Sequence, residues 1–189
     1  MCKNLEILPR KFYQRDTVKV AKELLGKILV RKINGKILTG IITETEAYAG
    51  KNDPASHASR KKTERNKVMF NEVGFSYVYF TYGMYYCFNI VAKKETEPAG
   101  AVLIRSIQPV LGIKHMIRNR NTHKISNLTN GPGKLSQALK ITLKQYNHDL
   151  TKNSSLYITN GIKQKKITAA PRIGISVGTE KLWNFNLKY

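Results

Sequence analysis

Ile28-Leu29-Val30-Arg31-Lys32-Ile33-Asn34-Gly35-Lys36-Ile37-Leu38-Thr39-Gly40-Ile41-Ile42-Thr43-Glu44-Thr45-Glu46-Ala47-Tyr48 is the stretch on which the fold reading depends. Two runs rich in branched residues, Ile28 to Ile33 and Ile37 to Tyr48, flank Asn34-Gly35. That dipeptide is the strongest short hairpin signal, because Asn and Gly accept the positive φ of a tight reversal. The second run ends on Glu44, Glu46 and Tyr48. Alternate residues of a strand share a face, so these three side chains line up, with the carboxylates roughly 7 Å apart. An exposed face of solvated glutamates has the same spacing, and spacing alone does not separate that reading from a functional one.

Upstream, Asp16 to Gly26 reads as a helix, with Asp16 or Thr17 to cap it, Gly26 to end it, and Val18, Ala21, Leu24 and Leu25 at helical spacing. Downstream, residues 49 to 74 are polar and basic, and predict an irregular loop with one short helix. Phe75 to Tyr82 and Tyr85 to Ala92 read as strands around Gly83, and Ala101 to Ile107 as another. Pro109 to Arg120 reads as a helix with Pro109 in its first turn. After a polar loop over 121 to 130, Gly131-Pro132-Gly133 opens a helix through Leu135, Ala138 and Leu139. Leu156 to Thr159 and Arg172 to Val177 are short strand candidates. The strands arrive in hairpins, without repeat or linker. This predicts one α+β domain over residues 1–189, with a largely antiparallel curved sheet, flanking helices and a protruding hairpin.

The formal net charge is +21, far from the near-neutral balance usual in a small domain. Such an excess points to DNA, RNA or an anionic surface as partner, without choosing among them. An apolar content of 41% argues against wholesale disorder. No apolar run reaches membrane-spanning length, and the start, Met1 to Glu6, lacks the apolar stretch of a signal peptide. A soluble, intracellular protein is expected. Cys2 and Cys87, the two cysteines, fit a reduced interior, and no CxxC or HxxxH spacing suggests zinc.

Three segments carry chemistry. Beyond the glutamate strand, Asp53-Pro54-Ala55-Ser56-His57 brings a histidine close in sequence to Glu46 and Tyr48. Residues 77–86 hold five tyrosines, with Tyr77 and Tyr79 on one strand face and Tyr82 beside Gly83 at a bend. Strand tyrosines usually pack half-buried, but aromatic and apolar side chains at a hairpin tip can wedge between base steps. Ser59-Arg60-Lys61-Lys62-Thr63-Glu64-Arg65-Asn66-Lys67 is a dense cationic run beside these groups. Phosphates held by such a run fix position while a pocket does the chemistry. Gly131-Pro132-Gly133-Lys134 offers a phosphate-binding helix start, though not a P-loop.

Taken together, these motifs resemble the alkyladenine (3-methyladenine) DNA glycosylase family. The matching residues are Glu44-Thr45-Glu46-Ala47-Tyr48, His57, Thr63-Glu64-Arg65-Asn66, Tyr77-Val78-Tyr79, Tyr82-Gly83-Met84-Tyr85, Asn89, Val102-Leu103-Ile104-Arg105 and Asn130-Gly131-Pro132-Gly133-Lys134-Leu135. The resemblance runs from about Leu8 to Val177 and is weakest around 121 to 130 and near the C-terminus. It implies Glu46 as the base that activates water, with Arg105 near the water and the DNA backbone. Tyr48, His57 and Tyr79 become the walls around a flipped base, Asn89 the screen against normal guanine, and Tyr82 the side chain that fills the gap in the duplex. Arg60, Lys61, Lys62, Arg65 and Lys134 are candidates for backbone contacts. The implied partner is double-stranded DNA carrying damaged purines, met by a monomer with no metal or cofactor and no membrane attachment, in the cytoplasm and on the nucleoid. Two rivals stay open: a non-catalytic nucleic-acid-binding module with the same basic, aromatic surface, and a glycosidase acting on free nucleosides.

Overall fold

In a computed structural model, residues 5–163 and 166–188 are described. Cys2 lies outside them. The opening hairpin forms as its turn chemistry dictates: β1 (Ile28–Ile33) pairs antiparallel with β2 (Lys36–Ala49), and Ile33 faces Lys36 across the turn. Asn34 and Gly35 take φ of 48° and 69°, the left-handed values that suit both residues.

β2 is the spine of the sheet. One edge pairs along its length with β5 (Gly100–Leu111). The other pairs first with β1 and then, at Glu44 to Glu46, with β8 (Asn184–Lys188). Register shifts against β5 fall at Thr39/Gly40, Ile42/Glu44 and Glu44/Thr45. Such irregularities bend a strand and increase its twist, so β2 can serve two neighbours on one edge. With β3 (Ser76–Thr81), β4 (Tyr85–Val91), β6 (Leu156–Thr159) and β7 (Lys166–Ala170), the sheet has eight strands among the described residues, ordered β3-β4-β5-β2-β1-β6, with β8 joining β2 to β7. Every pairing is antiparallel. The result is the α+β domain with a curled antiparallel sheet that the hairpin pattern predicts.

Helices cover the sheet. A single turn, α1 (Arg10–Tyr13), leads to α2 (Thr17–Leu24), capped by the Asp16 carboxylate, which accepts from the Lys19 amide. Val20, Ala21 and Leu24 are buried against β2, where the Thr45 hydroxyl donates to the Ala21 carbonyl. Val18, at the same spacing in sequence, is only half-buried. α3 (Ile113–Arg120) and α4 (Pro132–Ala138) pack on each other, and α4 lies against β4. Gly133 allows that approach, since a Cβ there would meet the Tyr85 ring at 2.9 Å.

Two elements differ from expectation. Pro109 does not start a helix: β5 continues to Leu111, and α3 begins only after Gly112 (φ 78°). Pro109 faces Gly40 beside a register shift and beyond the last residue paired with β4. Proline fits such a place because its missing N–H breaks no ladder bond. Arg172 to Val177 is not a strand but an irregular segment broken at Gly174 and Gly178, both at positive φ. The strands of the tail are β7 and β8 instead.

Candidate active site

A cleft of about 510 Å³ opens where β2, β3, β4 and β5 meet the 54–69 loop, the start of α4 and residues 173–177. Its polar floor is built on β2. Glu46 is fully buried and its carboxylate accepts from four donors. Oε1 takes the Ile173 amide (2.8 Å) and Asn184 Nδ2 (3.0 Å); Oε2 takes the Tyr48 hydroxyl (2.8 Å) and an Arg105 guanidinium nitrogen (3.4 Å). Tyr48, Arg105 and Ile173 all line the cleft, so both carboxylate oxygens are held by its walls.

Glu44 shares the face and two of the donors, but is less deeply buried. Its Oε1 accepts from Arg105 Nε (2.8 Å) and Asn184 Nδ2 (2.9 Å). One guanidinium and one amide thus bind both carboxylates, and the face is not a row of solvated glutamates. Burial opposes the Arg105 charge, but Glu46 and then Glu44 outweigh it and raise its pKa. Burial, and next the Glu46 carboxylate, push the Tyr48 phenol far up, so it stays a hydroxyl and a donor.

The walls are aromatic. His57 Nδ1 lies 2.8 Å from the Tyr77 hydroxyl, and its ring meets Tyr79 edge-on at 4.7 Å. His57 is exposed, yet loss of part of its hydration, and then the Arg65 guanidinium, lower its pKa and favour the neutral imidazole. Burial raises the Tyr77 and Tyr79 phenols. Asn89 is buried opposite Tyr77, and its Nδ2 donates to the Tyr77 carbonyl (3.0 Å). Cys87, buried and free, also lines the cleft. At the β3–β4 turn Tyr82 borders the cleft with 80% of its surface exposed, and Met84 beside it is 64% exposed.

A model of the methylpurine-DNA glycosylase family matches residues 11–189. The chain belongs to that family. Among its relatives, a protein of Carboxydothermus hydrogenoformans is 50% identical, covering 96% of this chain and 95% of its own length. One of Prosthecochloris aestuarii is 51% identical over 92% and 84%, and one of Natranaerobius thermophilus 43% identical over 96% and 95%. Each is provisionally named a 3-methyladenine DNA glycosylase.

Set in this glycosylase, the residues singled out in sequence fall into two groups. Tyr48, His57, Tyr79, Tyr82, Asn89 and Arg105 all line one cleft, with Glu46 beneath it. Arg65 joins them, its guanidinium 4.8 Å from the centre of the Tyr79 ring. Arg60, Lys61 and Lys62 lie outside the lining, exposed on the adjoining loop. Lys134 turns inward to Asn127 and Asn130 and ties that loop to the start of α4.

Sequence reading missed the anchor of the floor. Arg172 and Asp53 form a fully buried bidentate pair at 2.6 and 2.7 Å. Arg172 also donates to the Ala47 carbonyl (3.0 Å) and lies 4.8 Å from the Tyr48 ring centre and 5.2 Å from that of Trp183. The next residue supplies the Ile173 amide to Glu46. The one local signal was a charged residue set among Ile173, Ile175 and Val177; its partner lies 119 positions away. Among the described residues no helix is long and apolar enough to cross a membrane, and no three His, Cys, Asp or Glu side chains cluster as metal ligands.

Proposed function

We propose that this DNA glycosylase flips alkylated purines out of the duplex into the cleft and releases them by hydrolysis at Glu46. The observation that carries the reading is a buried carboxylate, oriented by four donors, below a cleft walled by tyrosines and a histidine. A base within the stack hides its glycosidic carbon, so the nucleotide must leave the helix before reaction. A purine alkylated at N3 or N7 is cationic, and the electron-rich faces of Tyr48 and Tyr79 attract it.

In the reacting complex, the Glu46 carboxylate takes a proton from water as the water oxygen bonds to C1′. The C1′–N bond breaks, and its electron pair leaves with the purine, neutralising the alkylated ring. The carboxylate also stabilises the oxocarbenium-like sugar. Arg105 holds the carboxylate in place, Asn89 screens the base edge, and Tyr82 fills the gap left in the duplex. Arg60, Lys61, Lys62 and Arg65 hold phosphates. Water is the nucleophile, so no Schiff base forms with a lysine.

The test compares base release from duplexes carrying single lesions with release from the free modified nucleosides. Release from duplex alone is expected, with no adduct trapped by borohydride. Release from nucleosides at equal rates would make this a nucleoside glycosidase. Salt-sensitive binding without release would make it a binding module.

A further inference from the structure

A second cleft, of about 260 Å³, lies away from the first and takes no part in the chemistry above. It is lined by Ile33, Asn34, Lys36 and Leu38 of the first hairpin, by His115, Arg118 and Asn119 of α3, and by Lys140 just beyond α4. Among the described residues no acidic side chain lines it. Lys36, Arg118 and Lys140 are exposed, and none forms a side-chain hydrogen bond or ion pair with another described residue. Unpaired cations are common on a chain with 33 Lys and Arg against 12 acids. Three of them converging on one concavity are a different matter. Their mutual repulsion is unrelieved by any carboxylate, and a concave wall concentrates the field they produce.

We propose that this cleft binds a phosphodiester of the DNA backbone, as a contact separate from the lesion cleft. α4 sets the spacing. Pro132 at its start lines the first cleft, and Lys140, two residues past its end, lines the second. At 1.5 Å per helical residue α4 advances about 9 Å from Pro132 to Ala138, close to three base-pair steps of 3.4 Å, and Lys140 follows two residues on. A duplex that runs along α4 from the first cleft brings its phosphates to the second. The construction holds the groups in place: the Asn119 amide donates to the Ala138 carbonyl (2.8 Å) and fixes α3 to the end of α4. The paired Ile33 and Lys36 fix the hairpin end that carries Lys36.

The inference rests on DNA being the partner, not on the role of Glu46, so its test uses an undamaged 20-base-pair duplex. Binding is measured against salt for the wild type and for Lys36→Gln, Arg118→Gln and Lys140→Gln combined. Each neutralised phosphate contributes about 0.9 to the slope of log K on log salt. The triple variant is expected to lose about 1 to 2 from that slope and to bind about tenfold more weakly at low salt. Its single-turnover base release at saturating lesion duplex should match the wild type. An unchanged slope overturns the proposal. If inorganic phosphate raises the melting temperature of the wild type but not of the variant while the slope is unchanged, the cleft holds free anions and the DNA assignment falls. Should the triple variant fold poorly by circular dichroism, Arg118→Gln alone must still make the slope shallower.

Discussion

The β1–β2 and β3–β4 turns share a pair of left-handed residues and differ in length and in what they place there. Each sets two consecutive residues in the left-handed region: Asn34 and Gly35 at φ 48° and 69°, Tyr82 and Gly83 at 51° and 66°. Asparagine visits this region at little cost, whereas a tyrosine there gives up about 1–2 kcal/mol. The first turn closes a two-residue loop between paired Ile33 and Lys36; the second has three residues between paired Thr81 and Tyr85. Burial does not compensate the tyrosine, which is 80% exposed. Gly83 has no heavy atom near the Cβ it lacks, so crowding does not shape the turn either. The first turn has the chemistry of a hairpin closed for stability. The second accepts strain and presents a ring at the mouth of a cleft.

The largest expected effect separates that presentation from bond cleavage. Glu46→Gln keeps the shape of the floor and removes its charge. It should lower single-turnover excision by about 10²–10⁴-fold, the usual scale for a positioned base, while lesion binding, with its dependence on Tyr82, survives. Excision near the wild-type rate would remove Glu46 from the chemistry. Glu44→Gln should cost less, and an equal or larger loss there would exchange the two roles.

Next is the floor itself, which is held as firmly as the β3–β4 turn is loosely packed. Arg172→Met leaves the Asp53 carboxylate buried without its cation. Breaking such a pair typically destabilises by about 3–5 kcal/mol, measurable by urea unfolding. A loss under about 1 kcal/mol would show that the pair does not anchor the floor.

Tyr82→Ser acts on the turn. Stacking of a ring on a base is worth about 1–3 kcal/mol, so specific lesion binding should weaken roughly tenfold with the fold unchanged. Fluorescence of 2-aminopurine beside the lesion would report less flipping. If flipping persists, the wedge lies elsewhere, with Met84 the next candidate.

A smaller change tests the strain directly. Tyr82→Asn should raise stability by about 1 kcal/mol, and Asn34→Tyr should lower it by a similar amount. Destabilisation by Tyr82→Asn would show that the ring packs after all.

The smallest effect concerns His57, in the wall that Tyr82 borders. Its folded pKa lies below the ordinary 6.5. Between the two values the unfolded chain binds the extra proton, so stability rises with pH across that window and falls as acid charges the ring. His57→Gln should flatten this part of the stability–pH curve. A curve that keeps its slope would assign the titration to another group.

Much of the fold was legible because its signals are local. Asn34-Gly35 specified a hairpin by turn chemistry, Asp16 capped the helix expected of it, and Leu156 to Thr159 paired as read. Local signals misled where position in the sheet outweighed composition. Pro109 is a usual first-turn residue of a helix, yet the far end of β5 accommodates it beside a register shift. Ile173, Ile175 and Val177 alternate like a strand, but Arg172 is held down by Asp53 and glycines at 174 and 178 break the run.

The sequence by itself determined which chemical groups are present and which lie close along the chain. Glu44, Glu46 and Tyr48 share a strand face because side chains alternate, and the tyrosines of 77–86 straddle a bend because Gly83 permits one. Only the tertiary structure decided which glutamate is sealed beneath the cleft, and which arginine closes the floor over a separation of 119 residues. The physical reason is that burial and ion pairing are set by what packs around a group. For Glu46 those neighbours come from β5, from β8 and from the segment after β7, strands whose contact no spacing along the chain encodes.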